Sequence, residues 1–187
     1  MLGCRPLNDT EIDKISVELS LRDRCIFLIG IRCGYRISEI LSLPIKGVTD
    51  SNGNIGKYVK VEKRNTKGKR HGWSIPMHRD VHKALSDYLP TLESTNGYLF
   101  PSPVNGGHLN RCTFHETFKR KVASLGIDTT KVATHSMRKT FAKNVYEASG
   151  HDIVMVCKLM RHRSIEDTMK YLDVDGGKLW DLILSVE

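Results

Sequence analysis

No apolar run in this 187-residue chain is long enough to cross a membrane as a helix. The longest, near Cys25 to Ile31, has the length of a core helix. Cysteine pairs are missing too. Cys4, Cys25, Cys33, Cys112 and Cys157 make an odd number with no Cys-x-x-Cys spacing. This excludes a disulfide frame and a zinc knuckle, and argues for reduced thiols in a cytoplasmic setting. Arg5, Pro6 and Asn8-Asp9 follow the start directly, which does not read as a signal peptide. A phosphate-binding P-loop is lacking, because around Gly56-Lys57 Ser51 stands where the first Gly belongs and Tyr58 replaces the Ser or Thr. No internal repeat, low-complexity tract or linker divides the chain, so residues 1–187 read as one domain with a sizeable core. Acidic residues are outnumbered, 21 against 29 Lys and Arg, for a formal charge of +8. Nucleic acid is the leading partner for such a chain, although a solvated Lys-rich face accounts for charge alone equally well.

What is present is mainly helical periodicity. Asn8-Asp9-Thr10-Glu11 reads as a helix start, followed by Ile12, Ile15 and Leu19 on one face. Leu21 to Cys33 is apolar on more than one side and predicts a buried helix that Gly34 ends. Arg36 to Leu43 predicts a short helix stopped by Pro44. From Ile45 to Met77 the period becomes two, with strands at Tyr58–Glu62 and Trp73–Pro76. Between them, residues 63–72, with five Lys or Arg, are expected to form a hairpin tip. Further amphipathic helices are predicted over His78–Leu89 and from Asn110 to Leu125, with a Gly- and Pro-marked loop from Thr91 to Leu109 between them. The fold class is therefore α+β, mostly helical with a small antiparallel sheet.

The chemistry concentrates between Thr134 and Leu172. His135 and Arg138 form a His-x-x-Arg pair, His162 follows, and Tyr171 lies nine residues further on. Phe141, Val145, Ala148, Ile153, Val156, Leu159 and Met160 lie between at helical spacing, so the polar groups are displayed on packed helices. Gly34-Tyr35-Arg36-Ile37-Ser38-Glu39 adds an earlier arginine behind a helix-ending glycine. Taken singly, each has an ordinary explanation: Arg36 a surface partner of Glu39, His135 a helix-start residue, Tyr171 a half-buried packing residue. In this order and spacing the set resembles the tyrosine recombinases, the phage-integrase family. Met160-Arg161-His162 stands where that family usually has Leu-Gly-His.

The resemblance implies a mostly helical catalytic domain that cuts and rejoins DNA strands through a 3′-phosphotyrosyl intermediate, without metal or cofactor. Arg36 and Arg138 would bind the scissile phosphate. His135 and His162 would hydrogen-bond it, His135 also handling the tyrosine proton, and Tyr171 would be the nucleophile. The family's catalytic lysine sits on a hairpin tip, where Lys67 in Thr66-Lys67-Gly68 fits best and Lys69 is its rival; Glu39 would brace the site. The physical logic is coherent. A phenol, with a pKa near 10, needs nearby cations to become a nucleophile. Guanidinium groups clamp phosphate oxygens bidentately at any relevant pH, and a general acid contributes roughly 10²–10⁴-fold.

The partner is then double-stranded DNA, with a homo-oligomer (a tetramer) expected on DNA, a monomer possible without it, and a cytoplasmic, nucleoid-associated location. The N-terminal DNA-binding domain usual in the family is expected to be absent. An apolar tail after Gly176-Gly177, carrying Leu179, Trp180, Leu182 and Ile183, is expected to dock on a neighbouring protomer or in cis. Two other classes compete. A metal-dependent nuclease would use His135 and His162 as ligands, but no acidic cluster accompanies them. A non-catalytic DNA-binding module would leave the ordered set unexplained.

Overall fold

The computed structural model describes residues 3–62, 72–104 and 106–172. Helix α2 (Leu21–Cys33) lies at the centre of the core: Cys25, Ile26, Phe27 and Ile29 are fully buried and Ile31 nearly so. Burying a side chain such as Phe27 contributes about 1.5–3 kcal/mol. Ser20 caps the helix start through the amide of Asp23, and Gly34, in the left-handed region, ends it. Helix α1 (Asp9–Glu18) opens with a reciprocal capping box between Asn8 and Glu11. Its last turn has no basic residue of its own. Arg24 of α2 fills that role, donating to the carbonyls of Ser16, Val17 and Leu19 at 2.6, 3.0 and 3.3 Å. Carbonyls that have no partner within their own helix are thereby satisfied by the next one.

Beyond α2 the chain forms α3 (Ile37–Leu41), a 3₁₀ turn (Ile45–Gly47), and the antiparallel pair β1 (Tyr58–Val61) and β2 (Trp73–Pro76). Val59, Val61 and Ile75 point into the core while Tyr58, Lys60 and Ser74 face outward, the alternation that predicted the strands. Helix α4 (Arg79–Tyr88) buries Val81, Ala84, Leu85 and Tyr88 and is tied to α2 by an Arg32–Asp80 ion pair at 2.9 Å. A second 3₁₀ turn (Leu89–Thr91) leads into the loop, which is pinned where Leu99 donates to the Leu43 carbonyl at 2.7 Å and accepts from the Tyr88 hydroxyl at 3.0 Å. Helix α5 (Arg111–Ser124), capped by Asn110, packs Phe118 5.9 Å from the Phe27 ring.

Two elements depart from the sequence expectation. The helix expected over Arg36–Leu43 is shorter, because Arg36 is its N-cap in extended geometry and Leu43 and Pro44 leave to pair with the loop at Tyr98 and Leu99. The period-two stretch also begins later than Ile45. Asp50 accepts the amides of Asn52 and Asn54, both at 2.9 Å, and closes a side-chain turn before the strands start. The expected hairpin tip, with Lys67 and Lys69, lies outside the described residues, as does the tail carrying Leu179, Trp180, Leu182 and Ile183.

The chain divides into two compact units, Met1–Phe141 and Ala142–Glu187, the division falling within α6 (Thr134–Ala148). In the first unit the N-terminal segment fastens to the start of α6. Arg5 donates to the Lys131 carbonyl at 2.7 Å, and Leu7 donates to the Thr140 hydroxyl at 2.9 Å. Met137 lies so close to Gly30 of α2 that a Cβ there would come within 2.9 Å of it. The second unit contains α7 (Ile153–Met160), capped by Asp152 through the amide of Met155, and α8 (Ile165–Leu172). Among the described residues of this helix pair, Val156, Met160 and Thr168 are buried.

Candidate active site

In the first unit the site is built on the turn that ends α2. Gly34 has φ +65°, and a Cβ on it would sit 2.2 Å from the Phe141 ring. Both the backbone conformation and the space therefore demand glycine. Its carbonyl accepts a hydrogen bond from the guanidinium of Arg138, which is almost fully buried. Arg138 is held at that depth by the start of α6. Ser136 accepts the amide of Ala133 at 3.1 Å, and Thr140 donates to the Ser136 carbonyl at 2.8 Å. Arg36 follows two residues after Gly34. Its amide and guanidinium both reach the Glu39 carboxylate, at 2.9 and 3.3 Å. Glu39 is 1% exposed and the Arg36 side chain 27%, so a buried anion holds a half-open cation at the surface. Removing one partner of such a pair leaves the other uncompensated.

His135 stands one helical turn before Arg138 and is exposed to solvent. Desolvation by the surrounding protein moves its pKa below the ordinary imidazole value. The charges of Arg138, Lys139 and Arg36 push it further down. That exposure tempers the size of this shift but not its direction. The imidazole is therefore largely neutral at pH 7. Arg36, His135 and Arg138 thus come together as two guanidinium forks and a neutral imidazole, which suits the non-bridging oxygens of a phosphate.

The second unit brings together the other two residues. Arg161 ends α7 with φ 53° and ψ 43°. It adopts the left-handed conformation that glycine takes more readily, at a cost of roughly 1–2 kcal/mol. The turn directs His162 toward α8, where its Nδ1 is 3.0 Å from the Thr168 hydroxyl. Its ring packs edge-on to Tyr171, with centroids 5.1 Å apart and planes at 69°. Thr168 escaped sequence reasoning as a site residue, although its spacing of three from Tyr171 puts both on one helical face. Lys67 and Lys69 lie outside the described residues. Among the described residues no group of three His, Cys, Asp or Glu is arranged to hold a metal ion, and no helix is long and apolar enough to cross a membrane.

The model of the phage integrase family matches residues 7–177. A probable integrase/recombinase of Bacillus subtilis (strain 168), YoeC, is 26% identical over 165 residues, covering 88% of this chain and 84% of its own. Tyrosine recombinase XerD of Rhizobium meliloti (strain 1021) is 27% identical over 170 residues, covering 89% of this chain and 52% of XerD. The chain thus spans about half the length of that relative. Among solved structures, XerH site-specific recombinase bound to palindromic difH substrate in a post-cleavage complex has a TM-score of 0.72 at 22% identity, covering 98% of this chain and 53% of XerH. XerA recombinase also gives 0.72, at 23% identity, covering 96% of this chain and 64% of XerA. At such identities the structural likeness speaks for the fold, and the family match over residues 7–177 carries the assignment: this chain belongs to the phage integrase family, the tyrosine recombinases.

Proposed function

We propose that this chain is the catalytic domain of a site-specific DNA recombinase that cuts and rejoins double-stranded DNA through Tyr171. The observation that carries the reading is that Arg36 follows the α2-ending turn whose Gly34 carbonyl receives Arg138, with His135 within electrostatic reach of both arginines. In the proposed reaction Arg36 and Arg138 hold the non-bridging oxygens of the scissile phosphate. The charge that builds on those oxygens in the transition state strengthens the contacts there, and one such donor is typically worth about 2.7–4 kcal/mol. His135 accepts the phenolic proton as the Tyr171 oxygen attacks phosphorus. The phosphorus–O5′ bond breaks, and Lys67 protonates the departing 5′-oxygen. The protein–DNA bond retains the energy of the broken phosphodiester, so an incoming 5′-hydroxyl reverses the sequence and rejoins a strand without a cofactor. His162, oriented by Thr168, adds a hydrogen bond to the phosphate, and Glu39 fixes the fork of Arg36.

Assembly as a tetramer on DNA and a cytoplasmic, nucleoid-associated location belong to the same proposal. The recombinase names of the relatives and the difH substrate bound in the XerH structure support a DNA substrate. The test is covalent trapping on a nicked suicide substrate. The wild-type chain should give a protein–DNA adduct on denaturing gels, and Tyr171→Phe should bind DNA but give none. Cleavage without an adduct that chelator abolishes would favour a metal-dependent nuclease. Binding without cleavage or adduct by the wild type would favour a DNA-binding module. An adduct persisting in Tyr171→Phe would move the nucleophile elsewhere.

A further inference from the structure

Between Gly34 and Arg36 stands Tyr35, which the proposed reaction does not use. Its side chain is 2% exposed, and its hydroxyl reaches across the core to the hairpin. There it lies 2.8 Å from the Val59 carbonyl on β1 and 3.1 Å from the Trp73 carbonyl on β2. A hydroxyl has one proton to donate, so the two oxygens share it. In the register of the sheet these carbonyls flank the Lys60↔Ser74 pair, at the end of the ladder nearest the tip. One residue therefore touches both strands of the hairpin, while its backbone neighbours carry the carbonyl that receives Arg138 and the amide that Glu39 holds.

From this geometry we propose that Tyr35 is a positioning residue. It fixes the hairpin relative to the arginine site, and so sets where the general acid carried by the hairpin meets the leaving oxygen. The inference rests on the proposed reaction and goes beyond it, because Tyr35 touches neither phosphate nor nucleophile. A purely structural role would be to fill the core beneath the sheet, and the ring alone would serve that. The hydroxyl is different, since it is aimed at both strands at once. The hairpin has other support: Gly47 approaches so closely that a Cβ on it would come within 2.7 Å of the Lys60 carbonyl, and Met77 donates to the Lys57 carbonyl at 2.9 Å. Losing the hydroxyl should thus loosen the placement of the hairpin without melting it. A displacement of about 1 Å at a reacting group can slow a reaction about 10²-fold.

The experiment compares wild type, Tyr35→Phe and Lys67→Ala in single-turnover cleavage of two substrates. One is an ordinary phosphodiester, the other a 5′-bridging phosphorothiolate whose sulfur leaves without protonation. Tyr35→Phe should bind DNA within about twofold of wild type and melt as one transition. It should cleave the oxygen substrate about 10–100-fold more slowly, and the sulfur substrate at the wild-type rate. Replacing Tyr35 by 4-aminophenylalanine, which restores an N–H donor, should recover cleavage of the oxygen substrate. Equal slowing on both substrates, or no slowing on either, would overturn the inference. Should Tyr35→Phe fail to fold, the amino variant decides: wild-type rates on both substrates support a donor role, and equal losses on both oppose it. Lys67→Ala separates this inference from the reading beneath it. If sulfur rescues Lys67→Ala but not Tyr35→Phe, the Tyr35 role fails alone. If sulfur rescues Tyr35→Phe but not Lys67→Ala, the hairpin does carry the acid and the Lys67 assignment fails.

Discussion

Replacing Gly34 by alanine tests how the arginine site is held. Two costs add at this position. The left-handed backbone, φ +65°, penalises a Cβ by about 1 kcal/mol. The new methyl group would also lie 2.2 Å from the Phe141 ring. Forcing a packed core to admit such a group typically costs about 1–3 kcal/mol. The sum, about 2–4 kcal/mol, is a large part of the stability of an ordinary domain. It should lower the melting temperature by roughly 5–15 °C for a chain of this length. Gly126 provides an internal control, since it too has positive φ, +71°, but nothing within 4 Å of its would-be Cβ. Gly126→Ala should therefore cost only the backbone share, about 1 kcal/mol. Thermal and urea melts of both variants, with Phe141→Leu and the Gly34→Ala/Phe141→Leu pair, complete a double-mutant cycle. The pair should be less damaging than the sum of its parts, with coupling of roughly 0.5–3 kcal/mol. If Gly34→Ala costs no more than Gly126→Ala, or if the cycle is additive, the Phe141 contact does not constrain this turn and the argument is refuted.

The general acid can be located with the same pair of substrates. Lys67→Ala should slow cleavage of the oxygen substrate about 10²–10⁴-fold and be rescued by sulfur, whereas Lys69→Ala should mainly weaken DNA binding; rescue of Lys69→Ala alone reverses the assignment. The lowered pKa of His135 makes a prediction about stability. Unfolded imidazole titrates near pH 6.5, and the folded residue resists protonation, so its contribution is complete above about pH 6.5 and declines as pH falls below it. The stability of wild type minus that of His135→Gln, from urea melts at pH 7.5 to 5.5, should decrease toward acid. A difference that stays flat or increases contradicts the stated direction.

The local parts of this site were legible because the sequence encodes them locally. The apolar surround of α2, its end at Gly34 and the alternation of β1 and β2 each follow from residue types a few positions apart. The spacings that joined Arg36, His135, Arg138, His162 and Tyr171 into one family pattern were equally readable. Less legible were contacts between distant segments. No periodicity links Tyr35 to the carbonyls of Val59 and Trp73, or Arg24 to the end of α1, because the partners are backbone atoms that every residue has. The early end of α3 was missed for a related reason. Pro44 explains a stop, but the bond from Leu99 to the Leu43 carbonyl that draws the chain away lies more than fifty positions further on. Arg161 is a different case. Its residue type gives no sign of a left-handed turn, and the only sign was the family pattern, which has glycine at that position.

The contacts that fasten the first unit also set an order of events during synthesis. The bond between Leu7 and Thr140 spans 133 residues, and that between Arg138 and the Gly34 carbonyl spans 104. Such contacts carry the entropic cost of closing long loops and tend to form late. On the ribosome, at about 5–20 residues per second, a nascent chain has its Gly34 turn for roughly 5–20 s before Arg138 exists to meet it. Throughout that interval the emerging polypeptide can fold α1 and α2, yet it lacks the buried arginine that the Gly34 carbonyl receives. A newly made molecule therefore closes the turn around Gly34 only as the last residues of this unit are delivered.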